Sequence, residues 1–192
     1  LCAPSQQSQP LHHPKCGFLA SPAVARLDGV SKPFSIVVPA LDGHLYAWHG
    51  DGTPVSWSPL ALVDPGVATA QQMVAESINS PAIGDLNGDG VDDIVAATNE
   101  VYGGGSVLPL PVGGSDVSFI GSLSTTYTPV YAIDGKSGKF LPGWPIKVSG
   151  VIQNTLPFIG PGADPALATV GGKLQIVASA TGTGLSPVTS NL

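Results

Sequence analysis

The sequence predicts an all-β fold, and three observations support this prediction. The first is composition: the 192 residues include 25 glycines and 19 prolines, with 43% apolar and only 10% charged residues. Disordered chains are instead rich in charge and poor in apolar residues. The second observation is a set of short, partly β-branched segments bounded by turn residues, such as residues 36–38 and 94–98. The third is an internal repeat.

The repeat aligns two stretches of the chain closely and a third stretch partly. Residues 21–29 align with residues 80–88, and residues 45–50 align with residues 130–135. A weaker copy covers residues 164–178. Self-similarity at a period of several tens of residues is typical of solenoids, propellers and arrays.

Each unit is predicted to form four short strands, and four antiparallel strands are one blade of a β-propeller. In the second unit we expect strands at residues 81–86, 93–98, 130–134 and 143–148. The predicted organisation is an extended Cys- and Pro-rich segment followed by an incomplete propeller of about two and a half blades. These parts are the segment 1–20 and the propeller 21–192, with units at about 21–63, 80–149 and 164–192.

Propellers contain four to eight blades, and about two and a half blades are too few to close one. The sequence therefore predicts that this chain has partners. The third unit is expected to end after its second strand, near Ala180, which leaves an apolar edge with unpaired backbone groups. We therefore expect the remaining blades to come from the same precursor or from another subunit.

One long insertion distinguishes the second unit from the first. The first unit joins its second and third strands through a turn at residues 41–43, whereas the second unit uses residues 99–128, which are rich in Gly and Ser. Insertions in repeat proteins map to loops on one face and often form the binding surface. We expect a loop here, with a protein or glycan as its ligand.

The segment 85–93 has the pattern of a calcium-binding loop. Alternate residues supply oxygen donors, with a glycine at position 6 for the sharp turn, and Ca²⁺ prefers six to eight oxygen ligands. An EF-hand is excluded because its position 12 requires Glu, whereas Ala96 stands there. The alternative is an acidic hairpin turn without metal, which leaves like charges crowded together. The predicted ligands are the side chains of Asp85, Asn87, Asp89 and Asp93 and the carbonyl of Val91.

These residues, with the segment 94–97 and the tail 130–145, give the second unit its resemblance to an FG-GAP repeat. Such repeats form calcium-loop blades in the integrin α-subunit propeller and in secreted bacterial proteins with the related VCBS repeats. The resemblance implies an extracellular, calcium-stabilised propeller that serves adhesion or ligand recognition. Related propellers also include lectins and polysaccharide lyases, so a carbohydrate-active role is the alternative.

The other two units depart from the calcium pattern. Arg26 and Val30 replace two of the ligands in the first unit, where only Asp28 is retained. The third unit has Gly171, Gly172 and Lys173 at this place. We expect both of these loops to be free of metal.

Cysteine content and charge restrict the cellular setting. Cys2 and Cys16 are predicted to form a disulfide in an extracellular environment, with free thiols as the alternative. Any signal peptide is expected to have been removed or to lie upstream of Leu1. A net charge of −6 without a basic run argues against nucleic acid as a partner. The sequence contains no apolar run of 18 residues, so it predicts no membrane-spanning helix.

The sequence contains no catalytic motif, so we predict no catalytic residues and favour a binding module over an enzyme. The two glutamates, Glu76 and Glu100, are not placed together by any sequence pattern. Aromatic residues recur at matching positions of the units, which predicts packing between blades, with sugar stacking as the alternative. They are Tyr46, Trp48, Trp57, Tyr131 and Trp144.

Overall fold

The computed structural model describes residues 17–66, 72–77, 79–102, 126–127, 129–147, 164–178 and 188–190. Every regular element in these ranges is a β-strand, so the predicted all-β class is confirmed. No helix within them is long and apolar enough to cross a membrane. The predicted disulfide partners Cys2 and Cys16 lie outside the described residues.

The strands are short, and all pairings between them are antiparallel. In chain order they are β1 (Ala23–Ala25), β2 (Ser35–Pro39), β3 (His44–His49), β4 (Leu60–Ala61), β5 (Gln72–Glu76), β6 (Ala82–Gly84), β7 (Asp93–Ala97), β8 (Asn99–Tyr102), β9 (Thr126–Tyr127), β10 (Pro129–Ile133), β11 (Ile146–Lys147), β12 (Ala166–Val170), β13 (Lys173–Ala178) and β14 (Val188–Ser190).

These strands form four sheets. The first sheet has the order β1-β2-β3-β4 and the second has β6-β7-β10-β11. The third sheet has the order β12-β13-β14, and β5, β8 and β9 form a separate sheet, which we call the insertion sheet. The four strands of the second sheet lie within or close to the four predicted segments.

The first three sheets share one register at their first strand pair. In each sheet an alanine of the first strand lies opposite a valine of the second strand. The pairs are Ala23 with Val37, Ala82 with Val95, and Ala166 with Val177. At this strand pair, residues aligned in the sequence have the same pairing partners in all three sheets.

The second sheet lies in the middle of the core and is buried on both faces. Every described side chain of β7 and β10 is buried, which explains why both segments, apart from Asp93 at the start of β7, are continuously apolar rather than alternating. One face packs against the first sheet; this cluster includes Val37, Leu45, Ala47, Ile94, Tyr131 and Ile133. The opposite face packs against the third sheet; this cluster includes Val95, Val130, Ala132 and Ile176.

Two expectations about the strands are corrected. The third unit does not end after its second strand, because β14 pairs with β13 as a third strand through Ile176 opposite Ser190. The insertion 99–128 is not only a loop, because its two ends form β8 and β9 and pair with each other and with β5. Both errors have one cause: these strands are two to five residues long, too short for a period to be recognised.

A buried hydrogen-bond group lies where the insertion begins. Glu100 is fully buried, and its carboxylate accepts hydrogen bonds from the hydroxyls of Thr98 and Tyr131, both also fully buried. Ser77 donates to the Ala97 carbonyl at 2.6 Å. Because Glu100 belongs to β8 and Tyr131 to β10, these bonds join the insertion sheet to the second sheet.

Candidate functional site

The candidate calcium loop connects β6 to β7 and turns at two glycines. Gly88 and Gly90 have φ angles of 80° and 83°, a left-handed conformation that side chains rarely adopt. The carboxylate of Asp85 fixes this turn: its Oδ1 accepts the N–H groups of Gly88 at 2.7 Å and Asp89 at 3.1 Å. Its Oδ2 accepts the N–H of Gly90 at 3.0 Å.

Two further side chains fold back onto the loop backbone. Asn87 Oδ1 accepts the N–H of Asp89 at 2.9 Å, and Asp89 Oδ1 accepts the N–H of Val91 at 2.9 Å. In both contacts a side-chain oxygen accepts the backbone N–H two residues further along the chain. Such Asx-turns are the reason Asp and Asn are frequent in turns. The alternation of Asp and Asn therefore also explains how this loop folds.

Asp93, the last predicted ligand, is buried at the base of the loop, with 1% of its surface exposed. Its Oδ2 accepts the N–H groups of Leu86 at 2.8 Å and Asn87 at 3.2 Å, and its Oδ1 accepts that of Gly135 at 3.3 Å. Burial raises the pKa of this carboxyl above its usual value, against the lowering effect of the three N–H donors. Asp93 thus connects the start of the loop to the turn that follows β10.

The donor types of this loop fit calcium, but the acidic side chains are not gathered into one cluster. Within the described ranges, no group of three or more His, Cys, Asp or Glu side chains is placed to hold a metal ion. Carboxylate and amide oxygens are nevertheless hard donors of the kind Ca²⁺ takes. Each oxygen has more than one lone pair, so accepting a backbone N–H does not prevent it from binding a cation.

Asp92 is a contact residue that the sequence analysis missed. Its Oδ2 accepts the N–H of Arg26 at 2.7 Å, and its own N–H donates to the Arg26 carbonyl at 3.2 Å. The base of the loop is thereby bonded to the first unit. The alignment placed Arg26 opposite Asp85 but gave no indication of this contact, which joins residues 66 positions apart.

A cavity of about 490 Å³ lies beside the loop. One wall is formed by the loop itself, a second by Leu141 and Pro142, and a third by Lys173 and Leu174 at the turn of the third sheet. The loop residues that line it are Asp85, Leu86, Asn87 and Gly88.

The equivalent segment of the first unit has different contacts. The Arg26 guanidinium lies 4.8 Å from the centroid of the Phe34 ring. Asp28 Oδ2 lies 3.0 Å from His49 Nδ1. In the third unit, Gly171 and Gly172 form the tight turn between β12 and β13, both with positive φ.

The repeated aromatic residues have three different surroundings. Tyr131 and Trp144 are buried in the core. Trp57 donates from Nε1 to the Gly135 carbonyl at 2.9 Å, a contact between the first and second units. Tyr46 and Trp48 are half-buried on the outer side of β3, where their rings stack at 5.7 Å between centroids. Phe18 covers them edge-on.

Asp42, His44 and Tyr46 form a polar group at the end of this aromatic row. The Tyr46 hydroxyl donates to Asp42 Oδ2 at 2.7 Å, and His44 Nδ1 lies 3.4 Å from Asp42 Oδ1. The hydrogen bond with Asp42 raises the pKa of His44 in spite of its partial burial. Burial, together with the same carboxylate, raises the pKa of Tyr46 to about 12.

This group predicts a small pH dependence of stability. Because the folded state raises the pKa of His44, its contribution is fully present below the unfolded pKa of about 6.5 and is lost as pH rises through the folded pKa. His44→Gln should remove this part of the slope. Since 37% of the His44 side chain is exposed, we expect less than about 1 kcal/mol.

The measurement is the free energy of unfolding in urea between pH 5.5 and 9. Asp42→Asn is the matched variant, because it removes the partner and leaves the imidazole. Unchanged slopes in both variants would show that another group causes any pH dependence in this range.

No protein-family model matches this chain, and no curated protein matches it in sequence. The fold defines its class: over the described residues this is an all-β protein of antiparallel sheets, two of which have four strands.

Proposed function

We propose that this chain is an extracellular, calcium-stabilised module of β-propeller blades that recognises a protein or glycan ligand. The observation that supports it best is the loop from Asp85 to Asp93. Oxygen donors at alternate positions there occupy a tight turn, between two strands of a sheet buried on both faces.

The arrangement of the first strands supports the blade interpretation. In the first, second and third sheets these are β1, β6 and β12, and β6 lies against both of the others. In a propeller the first strand of each blade lines the axis, so neighbouring first strands should be in contact. The sheets also follow one another in chain order, each packed on the next.

In this proposal calcium is held by the side chains of Asp85, Asn87, Asp89 and Asp93 and by the carbonyl of Val91. Asp92, next to the ligand Asp93, adds a further carboxylate to this region. The positive charge of the cation would offset these negative charges. Burial raises the pKa of the Asp93 carboxyl and so disfavours its charged form. A nearby cation favours the charged form. Calcium would thus stabilise the base of the loop and its contacts with the first unit.

The insertion is the proposed recognition surface. Its ends are anchored by the insertion sheet and by the buried Glu100 group, which leaves residues 103–125 to carry contacts with a ligand. A segment held at both ends by a rigid scaffold is a common design of binding sites.

Replacing residues 103–125 by a four-residue Gly-Asn-rich turn tests this proposal. Val101 lies opposite Thr126, so a short turn can join the two strands. The chain and the shortened variant are compared on a glycan array and in plate assays with fibronectin and collagen, each with Ca²⁺ and with EDTA. We expect the variant to lose at least tenfold in binding and to keep its melting temperature.

The results on the glycan array and in the plate assays with proteins also separate the two ligand classes. Binding to glycans alone favours the lectin-like alternative, whereas binding to proteins alone favours adhesion. Full binding by the shortened variant would show that the insertion is not the recognition surface.

A further inference from the structure

We propose that Asn87 is a site of spontaneous deamidation, guarded by the hydrogen bonds of the loop that carries it. Asn87 and Gly88 form the one Asn-Gly pair in the sequence, and both residues are exposed. Asparagine followed by glycine is the pair most prone to this reaction, because glycine has no side chain to hinder the approach of its nitrogen to the asparagine amide. The modification itself does not depend on calcium.

The reaction needs only water as a co-reactant. The backbone nitrogen of Gly88 bonds to Cγ of Asn87 and loses its proton, and the side-chain nitrogen leaves as ammonia, which gives a succinimide ring. Water then opens the ring. Cleavage of the bond between Cγ and the nitrogen leaves aspartate at residue 87. Cleavage of the bond to the backbone carbonyl carbon leaves isoaspartate, in which the chain runs through the side-chain carbons.

Two hydrogen bonds occupy the reacting groups in the folded loop. In the succinimide, Cγ of Asn87 takes the place of the hydrogen on the Gly88 nitrogen, yet this N–H donates to Asp85 Oδ1 at 2.7 Å. The first bond must therefore break before the ring can close. The second bond restrains the amide group, because Asn87 Oδ1 accepts the N–H of Asp89 at 2.9 Å. Reaction thus requires local opening of the loop.

Asp85 controls this opening, because its carboxylate holds three N–H groups of the turn. Besides that of Gly88, it accepts the N–H groups of Asp89 at 3.1 Å and Gly90 at 3.0 Å. The turn is exposed, whereas the strands on either side of it are paired with each other. The loop can therefore open without loss of the sheet, as exposed turns commonly do.

Deamidation changes the donors of the loop in two different ways. An aspartate at residue 87 adds a carboxylate beside Asp85 and Asp89, and the calcium affinity of such loops depends on the number of charged ligands. Isoaspartate instead lengthens the backbone by one carbon and displaces the donors that follow it. This consequence, unlike the modification itself, rests on the proposed function.

Ageing of the full 192-residue chain under mildly alkaline conditions in EDTA tests the site. Peptide mapping by mass spectrometry measures the fraction of acid formed at each asparagine, in buffer and in urea. We expect Asn87 to react at least about tenfold faster in urea, where the loop bonds are absent. Asn79 and Asn99 are internal controls, since they precede Ser80 and Glu100, and Asn87 should react faster than either in urea.

Two variants of the folded chain locate the guard. Asp85→Ala removes the acceptor of the Gly88 N–H and should raise the rate at Asn87 at least about tenfold in EDTA. Asp89→Ala is the matched control: it removes another proposed calcium ligand but leaves the bond between Asp85 and Gly88, and should change the rate little. If Asp85→Ala fails to fold, the comparison of the parent chain in buffer and in urea still decides.

Three outcomes would overturn the inference. No reaction at Asn87 in urea would remove the site, and equal rates in buffer and in urea would remove the guard. A slower reaction in folded Asp85→Ala would show that this carboxylate promotes ring closure as a base.

A parallel sample with Ca²⁺ separates this inference from the proposed function. We expect the ion to slow the reaction of the parent chain further, because it stabilises the closed loop. Equal rates with Ca²⁺ and with EDTA, combined with protection relative to urea, would support the guarded site and contradict the calcium-binding role of the loop.

Discussion

Replacing Gly135 by alanine is expected to destabilise the protein by about 3 kcal/mol or more, the upper range for overpacking a closely packed site. A Cβ at this position would lie 1.9 Å from the Asp92 carbonyl oxygen and 2.8 Å from Leu27 Cδ2. The nearer atom belongs to the backbone and cannot turn away. Relieving the clash requires the backbone at Asp92 or at residue 135 to move, which also disturbs the hydrogen bonds of Gly135 with Asp93 and Trp57. Urea denaturation at fixed calcium measures the change.

Gly66→Ala is the matched control for this substitution. A Cβ at residue 66 would meet only the Asp64 carboxylate, at 3.1 Å from Oδ1, and this exposed turn can adjust. The expected change in unfolding free energy is within about 0.5 kcal/mol. Equal effects of the two substitutions would mean that Gly135 does not lie in a close contact between the first and second units.

Removal of calcium is expected to lower the free energy of unfolding by about 3 kcal/mol when the ion is present at one hundred times its dissociation constant. In the proposed site the ion would bind the folded loop and not the unfolded chain, and chelation would leave the carboxylates without a counter-ion. Thermal scans with Ca²⁺ and with EDTA measure this change. Isothermal titration gives the stoichiometry, for which we expect one ion per chain.

Two substitutions locate the ion. Asp89→Ala removes one proposed ligand and should make the melting temperature insensitive to calcium. Asp28→Ala alters the corresponding loop of the first unit, where Asp28 contacts His49, and should leave the calcium response unchanged. Superimposable melting curves of the parent chain with and without calcium would refute the metal site.

The sequence by itself determined the class of fold and the positions of most strands. Turn residues, short β-branched segments and the repeat are local signals, and they located β6, β7, β10 and β11 within a few residues. The Asp and Asn spacing likewise determined the loop between β6 and β7. Its hydrogen bonds mostly join residues two to five positions apart, and such bonds depend on little beyond the local chain.

Only the tertiary structure decided how the units contact one another. The bond between Arg26 and Asp92, the close approach of Gly135 to Asp92, and the burial of Glu100 against Tyr131 each depend on packing between sheets. The same is true of β5, β8 and β14, which are too short to show a period and are stabilised by the strands beside them. A residue pattern records which face of a strand is apolar, but the partner of that face is selected by the shape and register of the assembled sheets.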